Sequence, residues 1–345
     1  MKRNPAEPTA ADLVRSPAWF PLEATDATTL RFVCLDEAAY RAASFLDQRL
    51  LHAAPGPAQV LLAAALTHSA AAQLTPRLHY VFHIGHVGST LLSRLIGARE
   101  SFFSLREPAL LRALAAGGDA ALPLPDVLAL LSRTWRPAQR AVVKVTSFVS
   151  ELAQPLLASG DAPRAIFMYA TPLAYLRTIF AGPNSRQESR TLAPQRLRRL
   201  LRRLAAGDFA AQPRSEGEQV AMSWLTEMTC LHQAARQHAA QILWLDFDRF
   251  LASPQECLQR VFQSLGAAAP PAEVAALLAG PIMRSYSKAP EHAYDAQLRR
   301  EVLQAADLEN AVEIRRGLAW LGSLAQQYPQ VAATLQSLEA LGRGP

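Results

Sequence analysis

The sequence predicts an α/β fold in which a parallel β-sheet is covered by helices on both faces. From His79 onward, short β-rich runs alternate with helical stretches and are joined by short connections. Four of the five runs are almost wholly apolar, as is typical of strands buried on both faces of a parallel sheet. The runs are YVFHIG (80–85), SFFSL (101–105), AVVKVT (141–146), AIFMYA (165–170) and ILWLDF (242–247).

Helices are predicted between and after these runs. They lie near 90–98, 107–116, 124–134, 148–158 and 172–181. After Gly182 the chain is predicted to be mostly helical, with one long helix over GEQVAMSWLTEMTCLHQAARQHAAQ and three or four more from Ser253 onward. We therefore expect one core with helical additions.

The N-terminal region shows a different pattern. Residues 1 to about 28 have no clear periodicity and are expected to form a loosely packed arm, followed by a strand over TLRFVCL (29–35). DEAAYRAASFLDQRLL and PAQVLLAAALTHSAAAQL are predicted to form two helices, with Asp36 as a start signal and Pro76 ending the second. The expected divisions are an N-terminal arm and helical segment (1–78), a core (79–295) and C-terminal helices (296–345).

Composition narrows the class of protein. Half of the 345 residues are hydrophobic, yet no apolar stretch reaches the roughly 18 residues of a membrane span. The first residues lack the apolar block of a secretory signal. The three cysteines, Cys34, Cys230 and Cys257, form neither a disulfide framework nor a CxxC pair, which fits a reducing compartment. We expect a cytoplasmic protein without a membrane span.

The formal net charge is +6, and much of the basic excess lies in PQRLRRLLRRLAAG (194–207). This arginine run is either a site for an anionic acceptor or a solvated helix face. A basic balance alone does not identify a nucleic-acid binder, and we expect no nucleic-acid partner.

A glycine turn joins the first core strand to its helix. Gly85, His86, Val87, Gly88, Ser89 and Thr90 follow one another there. Such a turn aims backbone N–H groups at one point at the positive end of a helix dipole, an arrangement that binds phosphate or sulfate. The alternative is a tight turn whose glycines only permit packing. The nucleotide-hydrolase pattern GxxxxGK[ST] fails, because no lysine precedes Ser89.

Five segments, in order, resemble the sulfotransferase superfamily. FHIGHVGSTLL is similar to its 5′-phosphosulfate loop, and LREPALL to the Glu-Pro segment of several carbohydrate and bacterial members. The family's 3′-phosphate region is similar to AIFMYATPLAYLRTIF, and a pattern late in the family's sequences is similar to LWLDFDRFLASPQECLQRVFQSLG. The family's short tail motif is similar to RSYSKAPEHAYD. The resemblance covers roughly His79 to Asp295 and implies a three-layer P-loop fold.

The resemblance implies a sulfotransferase that moves a sulfuryl group from 3′-phosphoadenosine 5′-phosphosulfate to a hydroxyl or amine of a small-molecule or carbohydrate-like acceptor. No metal is expected. His79 and His83 lie about 13 Å apart on an extended strand at roughly 3.3 Å per residue, which argues against a histidine metal site. The backbone from Gly85 to Thr90 would hold the 5′-phosphosulfate, with His86 as an acid or cation at the bridging oxygen; the alternative for His86 is a partly exposed loop histidine.

Two further residues are expected to take part in the chemistry. Glu107 aligns with the catalytic glutamate of the Glu-Pro type and is the candidate general base; the alternative is a charge near a helix N-terminus. Lys144 lies in an apolar strand, where an unpaired charge is expensive, and is expected to emerge toward the phosphosulfate. The sequence Lys144-Val145-Thr146 lacks the histidine of the cytosolic Lys-Thr-His pattern, which favours the glutamate-base type.

The 3′-phosphate region departs from the family pattern. Ala170 occupies the usual arginine position, and Thr178 falls at the usual serine position. Arg177, Arg284 or Lys288 are candidates to supply the missing charge. Two other functions stay open: a P-loop kinase-like phosphotransferase that uses ATP, and a non-catalytic nucleotide-binding relative, which the alanine at position 170 would favour.

Overall fold

The structure is a computed structural model that describes residues 8–26, 28–53, 58–62, 76–117, 123–205, 211–286, 289–293 and 296–343. Its central element is a five-stranded parallel sheet flanked by helices, as predicted. Its strands are β4 (Leu78–His83), β5 (Phe102–Arg106), β6 (Arg140–Lys144), β7 (Ala165–Tyr169) and β8 (Ile242–Asp246). Their order in the sheet is β5-β6-β4-β7-β8.

Burial explains why the sequence identified these strands. Every residue of β4, β5 and β7 is buried, so their apolar runs are covered on both faces. β6 pairs in parallel with both neighbours, Val81 opposite Lys144 on one side and Arg106 opposite Lys144 on the other. The ends of β5 and β6 therefore lie side by side, with Glu107 directly beyond.

The chain forms two compact units. One comprises Met1–Val81 and Thr90–Ala165, and the other comprises Phe82–Ser89 and Ile166–Pro345. Helices of the first unit are α1 (Ala10–Arg15), α2 (Glu37–Ala42), α3 (Leu50–Ala53), α4 (Ser89–Gly97), α5 (Ala109–Ala115), α6 (Leu124–Leu131) and α7 (Ala153–Ala158), the last preceded by a 3₁₀ turn over Ser147–Leu152. Ser89, the first residue of α4, belongs to the second unit.

The N-terminal region corrects three predictions. Residues of the expected arm form α1 and β1 (Trp19–Asp26), which pairs antiparallel with β2 (Thr29–Cys34). The first expected helix is two short helices, α2 and α3. The second expected helix is wrong over residues Ala58–Leu62, which form strand β3 and pair with β2. Residues 63–75 lie outside the described residues. The alanine and leucine of β3 favour a helix locally, but pairing with a neighbouring strand overrides that preference.

One buried arginine holds the start of the first unit together. The guanidinium of Arg133 donates to the carbonyl groups of Leu13 at 2.6 Å, Ser16 at 3.0 Å and Trp19 at 2.8 Å. These carbonyls lie at the end of α1 and the start of β1. Because the charged group has several backbone acceptors, its burial is compensated by hydrogen bonds. Burial lowers the pKa of Arg133 to about 10.

The second unit is mainly helical. Its helices are α8 (Pro172–Phe180), α9 (Pro183–Leu204), α10 (Glu216–His238), α11 (Phe247–Ala252), α12 (Pro254–Ser264), α13 (Pro271–Ala279), α14 (Ala296–Glu309), α15 (Ala311–Gln327) and α16 (Pro329–Arg343), with 3₁₀ turns at Ala239–Gln241 and Pro281–Arg284 and a small hairpin of β9 (Ser285–Tyr286) and β10 (Ala289–Ala293). Helices α10 and α15 approach closely at glycines: a Cβ on Gly317 would lie 2.5 Å from the carbonyl oxygen of Gly217.

The arginine run on α9 faces the protein interior at two positions. Arg199 donates to both carboxylate oxygens of Glu227 on α10 at 3.0 Å, and Arg196 donates to the same group at 3.3 Å. Glu227 is fully buried. Arg196 and Arg199 therefore form neither of the two predicted features, an acceptor site or a solvated helix face. They belong to a buried charge cluster that joins two helices. No helix in the described ranges is long and apolar enough to cross a membrane.

Candidate functional site

The glycine turn between β4 and α4 has an unusual backbone. Gly85, His86 and Gly88 have φ angles of 91°, 55° and 66°. The N–H of Gly85 donates to Nδ1 of His83 at 3.0 Å, which fixes the end of the strand. Successive residues in such conformations form a concave row of backbone N–H groups that is suited to an anion. These φ angles are compatible with an anion-binding turn, and the phosphate interpretation stays a prediction.

Gly88 also meets a packing requirement within the second unit. A Cβ at this position would lie closer than 3.0 Å to three atoms of the Phe247 ring. That ring in turn carries the guanidinium of Arg299 at 4.8 Å from its centroid. Packing alone thus accounts for a glycine at position 88, as the alternative interpretation held, but it does not account for the non-glycine residue His86 in the left-handed region.

The His86 side chain is largely buried and is contacted through both ring nitrogens. Nδ1 lies 3.4 Å from Oγ of Ser185, and Nε2 lies 3.4 Å from a carboxylate oxygen of Glu188. Both partners belong to the first turns of α9. These contacts set the orientation of the imidazole, and a left-handed non-glycine residue at this point is a local strain of the kind that clusters at functional sites.

Glu107 shows the same kind of strain in the first unit. It follows the last residue of β5, and its φ angle is 54°. Its backbone N–H donates to the carbonyl of Lys144 at 2.7 Å, so the chain stays paired with β6 while it turns. Only four non-glycine residues among those described have positive φ, and two of them are His86 and Glu107. The sequence had identified both for chemical reasons.

Lys144 is the cation of the cluster that surrounds Glu107. Its side chain is 1% exposed, and its ammonium pairs with Oε1 of Glu107 and donates to Oγ1 of Thr90 at 3.3 Å. Oγ1 of Thr146 donates to Oε2 of Glu107 at 3.3 Å. Lys144 is the last residue of β6, and the largely buried carboxylate of Glu107 compensates its charge. Its expected approach to a phosphosulfate stays a prediction.

The contact between Lys144 and Thr90 brings a lysine to a place near the one that the nucleotide-hydrolase pattern fills and the glycine turn leaves without a lysine. Thr90 is the second residue of α4 and is 3% exposed. Because Lys144 donates to it, a cation from β6 reaches the start of the helix that follows the turn. We call Thr90, Glu107, Lys144 and Thr146 the base cluster; its pairing across strands was not foreseen.

A segment before α3 adds residues that the sequence did not single out. The N–H of Leu46 donates to the carbonyl of Arg106 at 2.8 Å, and the carbonyl of Leu46 accepts from Ala109 at 3.2 Å. These bonds bracket Glu107 in sequence. Phe45 lies with its ring centroid 5.8 Å from Nζ of Lys144, and Arg49 lies 3.8 Å over the same ring. Nothing in the N-terminal sequence marks these residues as part of a site.

The candidates for the 3′-phosphate site are otherwise engaged. Ala170 is buried, and its carbonyl accepts from Nε1 of Trp224 at 3.0 Å. Arg177 makes a two-bond ion pair with Asp307 at 3.0 and 2.8 Å, and Oγ1 of Thr178 donates to a carbonyl in its own helix. The Arg284 side chain and Lys288 lie outside the described residues.

Histidines of β4 have structural partners. Nδ1 of His79 accepts the N–H of Arg164 at 3.1 Å, as His83 accepts that of Gly85. Within the described part of the chain, no group of three or more His, Cys, Asp or Glu side chains is placed to hold a metal ion.

No protein-family model matches the chain, and no curated protein matches it significantly. Similar solved structures include a sulfotransferase domain from the curacin biosynthetic pathway (13% identity, TM-score 0.40, covering 72% of this chain and 98% of that one). Two others are the sulfotransferase domain of the Synechococcus PCC 7002 olefin synthase (16%, 0.38, 68% and 94%) and a mouse sulfotransferase complexed with PAP (10%, 0.39, 77% and 92%).

All three are described as sulfotransferases. At these identities and TM-scores the likeness fixes neither the activity nor the ligands of this chain.

Proposed function

We propose that this chain is a sulfotransferase that moves a sulfuryl group from 3′-phosphoadenosine 5′-phosphosulfate to a hydroxyl or amine acceptor. The observation that carries the proposal is the base cluster. Glu107 is held in a strained conformation at a strand end, where parallel α/β sheets place ligands, and its carboxylate is paired with a buried cation. A charge that merely favours a helix N-terminus needs neither feature.

The two oxygens of Glu107 have different partners, which supports a division of roles between them. Oε1 holds the ammonium of Lys144, whereas Oε2 accepts the longer bond from Thr146. Oε2 takes the acceptor's proton as the acceptor oxygen or nitrogen bonds to sulfur. The bond between sulfur and the 5′-phosphate oxygen breaks, and the phosphate leaves with that electron pair. Lys144, whose carboxylate partner is neutralised in this step, retains its charge to stabilise the anion that develops.

The glycine turn fits the 5′-phosphosulfate of the donor. The N–H of Gly85 is bonded to His83, so the backbone from His86 to Thr90 is the proposed source of N–H groups, with the hydroxyls of Ser89 and Thr90 at the N-terminus of α4. His86 is the proposed hydrogen-bond donor to the bridging oxygen. Its two ring nitrogens now lie 3.4 Å from Ser185 and Glu188, so one of these contacts would be exchanged for the donor's oxygen.

Arg177 is the proposed partner of the 3′-phosphate. Its present partner, Asp307, has a side chain that is 37% exposed, and that of Arg177 is 35% exposed. An ion pair this exposed contributes little to stability, so a phosphate can replace the carboxylate at low cost. Donor binding would then open the pair between α8 and α14, both of which belong to the second unit.

Calorimetric titration with 3′-phosphoadenosine 5′-phosphate tests the donor site. We expect binding by the wild type and weaker binding by Ser89→Ala and Arg177→Ala. Transfer of labelled sulfuryl groups to a panel of hydroxyl and amine compounds tests the reaction, and Glu107→Gln should lower kcat by about 10²–10⁴ without weakening nucleotide binding. Absence of nucleotide binding would refute the proposal, whereas nucleotide binding without transfer to any acceptor would support a non-catalytic nucleotide-binding relative.

The Lys144–Thr90 contact favours a second candidate, a phosphotransferase that uses ATP. In P-loop kinases a lysine at the turn stabilises the charge on the transferred phosphate, and here the cation arrives from β6 instead. Magnesium separates the two reactions. ATP-dependent transfer that disappears on chelation of Mg²⁺ supports the phosphotransferase, whereas sulfuryl transfer that is unaffected by chelation supports our first proposal.

A further inference from the structure

The start of α9 is held in place by contacts that do not involve the glycine turn. The helix begins at Pro183, whose fixed φ suits the first helical position. Arg186 forms a two-bond ion pair with Glu216 at 3.1 and 2.6 Å, and Arg190 pairs with the same carboxylate at 2.9 Å. Because Glu216 is the first residue of α10, these pairs tie the first two turns of α9 to that helix.

Two side chains on this part of α9 contact the two nitrogens of one imidazole ring. Ser185 and Glu188 are three residues apart, so they lie on one face of the helix. Oγ of Ser185 lies 3.4 Å from Nδ1 of His86, and a carboxylate oxygen of Glu188 lies 3.4 Å from Nε2. Within the described ranges of the chain, the ring has no further hydrogen-bond or ion-pair partner.

These partners determine which nitrogen carries the proton. An ionised carboxylate can only accept a hydrogen bond, so the nitrogen that faces Glu188, Nε2, carries the proton of the neutral ring. Nδ1 is then an acceptor and takes the O–H of Ser185. An anion also only accepts, so Nδ1 can bind one only after it gains a proton and gives up the serine hydroxyl.

From this arrangement we infer that Glu188 is a positioning residue for His86. It holds Nε2, so that Nδ1 gains a proton and exchanges its contact with Ser185 for an oxygen of the donor. The inference rests on the proposed function, which places that oxygen at the turn. Donor binding takes up one proton, no covalent bond to a heavy atom changes, and the doubly protonated ring supplies the positive charge that a lysine supplies in the nucleotide-hydrolase pattern.

The other titratable groups around the turn have partners of their own. From β4, Nδ1 of His83 accepts the N–H of the first glycine of the turn. From α11, Phe247 packs against the second glycine, and Arg299, which lies 4.8 Å from the centroid of that ring, pairs with Asp248 at 3.0 Å. The two arginines of α9 pair with a carboxylate of α10. Among the described residues, Glu188 is thus the carboxylate in contact with the imidazole of the turn.

Calorimetric titration with 3′-phosphoadenosine 5′-phosphate, in buffers of different ionisation enthalpy, counts the protons taken up on binding. The range is pH 7–9, because phosphate monoesters, with a second pKa of about 6, stay ionised there. For the wild type we expect an uptake of about 0.5–1 proton at pH 7.5 and an affinity that falls by up to about tenfold per pH unit. His86→Asn should show neither effect, and asparagine tolerates the left-handed backbone of this position.

Variants of α9 separate the two contacts of the ring. Glu188→Gln keeps the length of the side chain but removes its charge, so we expect about two- to fivefold weaker binding at pH 7.5 and a smaller proton uptake, with partial recovery in Glu188→Asp. Ser185→Ala loses only the contact that the donor replaces, so it should bind at least as tightly as the wild type. Glu256→Gln is the matched control, since it removes the same charge from an exposed position on α12 and should behave as the wild type.

The opposite pattern overturns the inference. Weaker binding by Ser185→Ala together with unchanged binding by Glu188→Gln would mean that the donor meets Nε2 instead. Nucleotide binding by the wild type without proton uptake between pH 7 and 9 would also overturn it, and in both cases the proposed function is unaffected because the nucleotide still binds. A wild type that binds no nucleotide overturns the proposed function and this inference with it.

Discussion

The base cluster makes a prediction about stability that is separate from catalysis. Lys144→Met removes the ammonium and leaves the carboxylate of Glu107, whose side chain is only 13% exposed, with the Thr146 hydroxyl at 3.3 Å as its remaining contact within the cluster. Removing one partner of a buried ion pair costs about 3–5 kcal/mol, because an uncompensated charge stays behind. Since Glu107 retains some exposure, we expect about 3 kcal/mol for this variant.

Neutralising the second charge should recover part of that loss. In Lys144→Met with Glu107→Gln, no net charge remains in the cluster, and the amide keeps a hydrogen-bonding partner in Thr146. We expect the double variant to be more stable than Lys144→Met alone by roughly 1–3 kcal/mol, a coupling typical of residues in direct contact. Lys144→Met, Glu107→Gln and the double variant should nevertheless all lose sulfuryl transfer, because the cation, the proton acceptor or both are gone.

Urea unfolding of the wild type, the two single variants and the double variant measures this coupling. Circular dichroism and tryptophan fluorescence should be recorded together, because coincident transitions are needed before free energies are compared in a chain with two compact units. A loss below 0.5 kcal/mol in Lys144→Met, or costs that simply add in the double variant, would show that the two groups are not a buried coupled pair.

Three other predictions address the turn, the donor site and acid stability. Gly88→Ala should lower the free energy of unfolding by about 1–3 kcal/mol, because its Cβ overlaps the Phe247 ring at a positive φ, and urea titrations should show a smaller cost of the same change in a Phe247→Ala background. Asp307→Asn should tighten binding of 3′-phosphoadenosine 5′-phosphate about two- to fivefold by releasing Arg177, and calorimetry that shows weaker binding would contradict the assignment. A hydrogen bond from a backbone N–H of α10 lowers the pKa of Glu313 below 4.5. Its stabilising effect is therefore present above pH 4.5 and lost as pH falls through the folded-state pKa, so the unfolding free energies of wild type and Glu313→Gln should converge in that range.

The central sheet could be predicted because each of its strands carries the information locally. A run such as AIFMYA is apolar at every position, which suits only a strand covered on both faces or a buried helix, and its shortness decides between the two. The N-terminal sheet could not be predicted in this way. β3 has the composition of a helix, and its conformation depends on pairing with β2, which lies more than twenty residues earlier.

The same distinction applies to the candidate site. Glu107 and Lys144 could be chosen one at a time, from a strand end and from a charge in an apolar strand. Their mutual pairing and the contact with Thr90 depend on the order of strands in the sheet, which the sequence does not display. Phe45 belongs to a segment without a motif, and only the backbone bonds around Leu46 bring it to the cluster.

Arginine in this protein often serves as an internal brace between backbone segments rather than as surface charge. Arg106 and Arg133 donate hydrogen bonds to carbonyl oxygens of distant segments of the chain. Arg196 and Arg199, on one helix, both donate to a single carboxylate on another. A lysine at any of these positions would preserve the formal charge of +6, but an ammonium has no planar fork with which to span several oxygens. A fully lysine-substituted version would thus match the original electrostatically while losing many of the ties that keep its helices and strands in register.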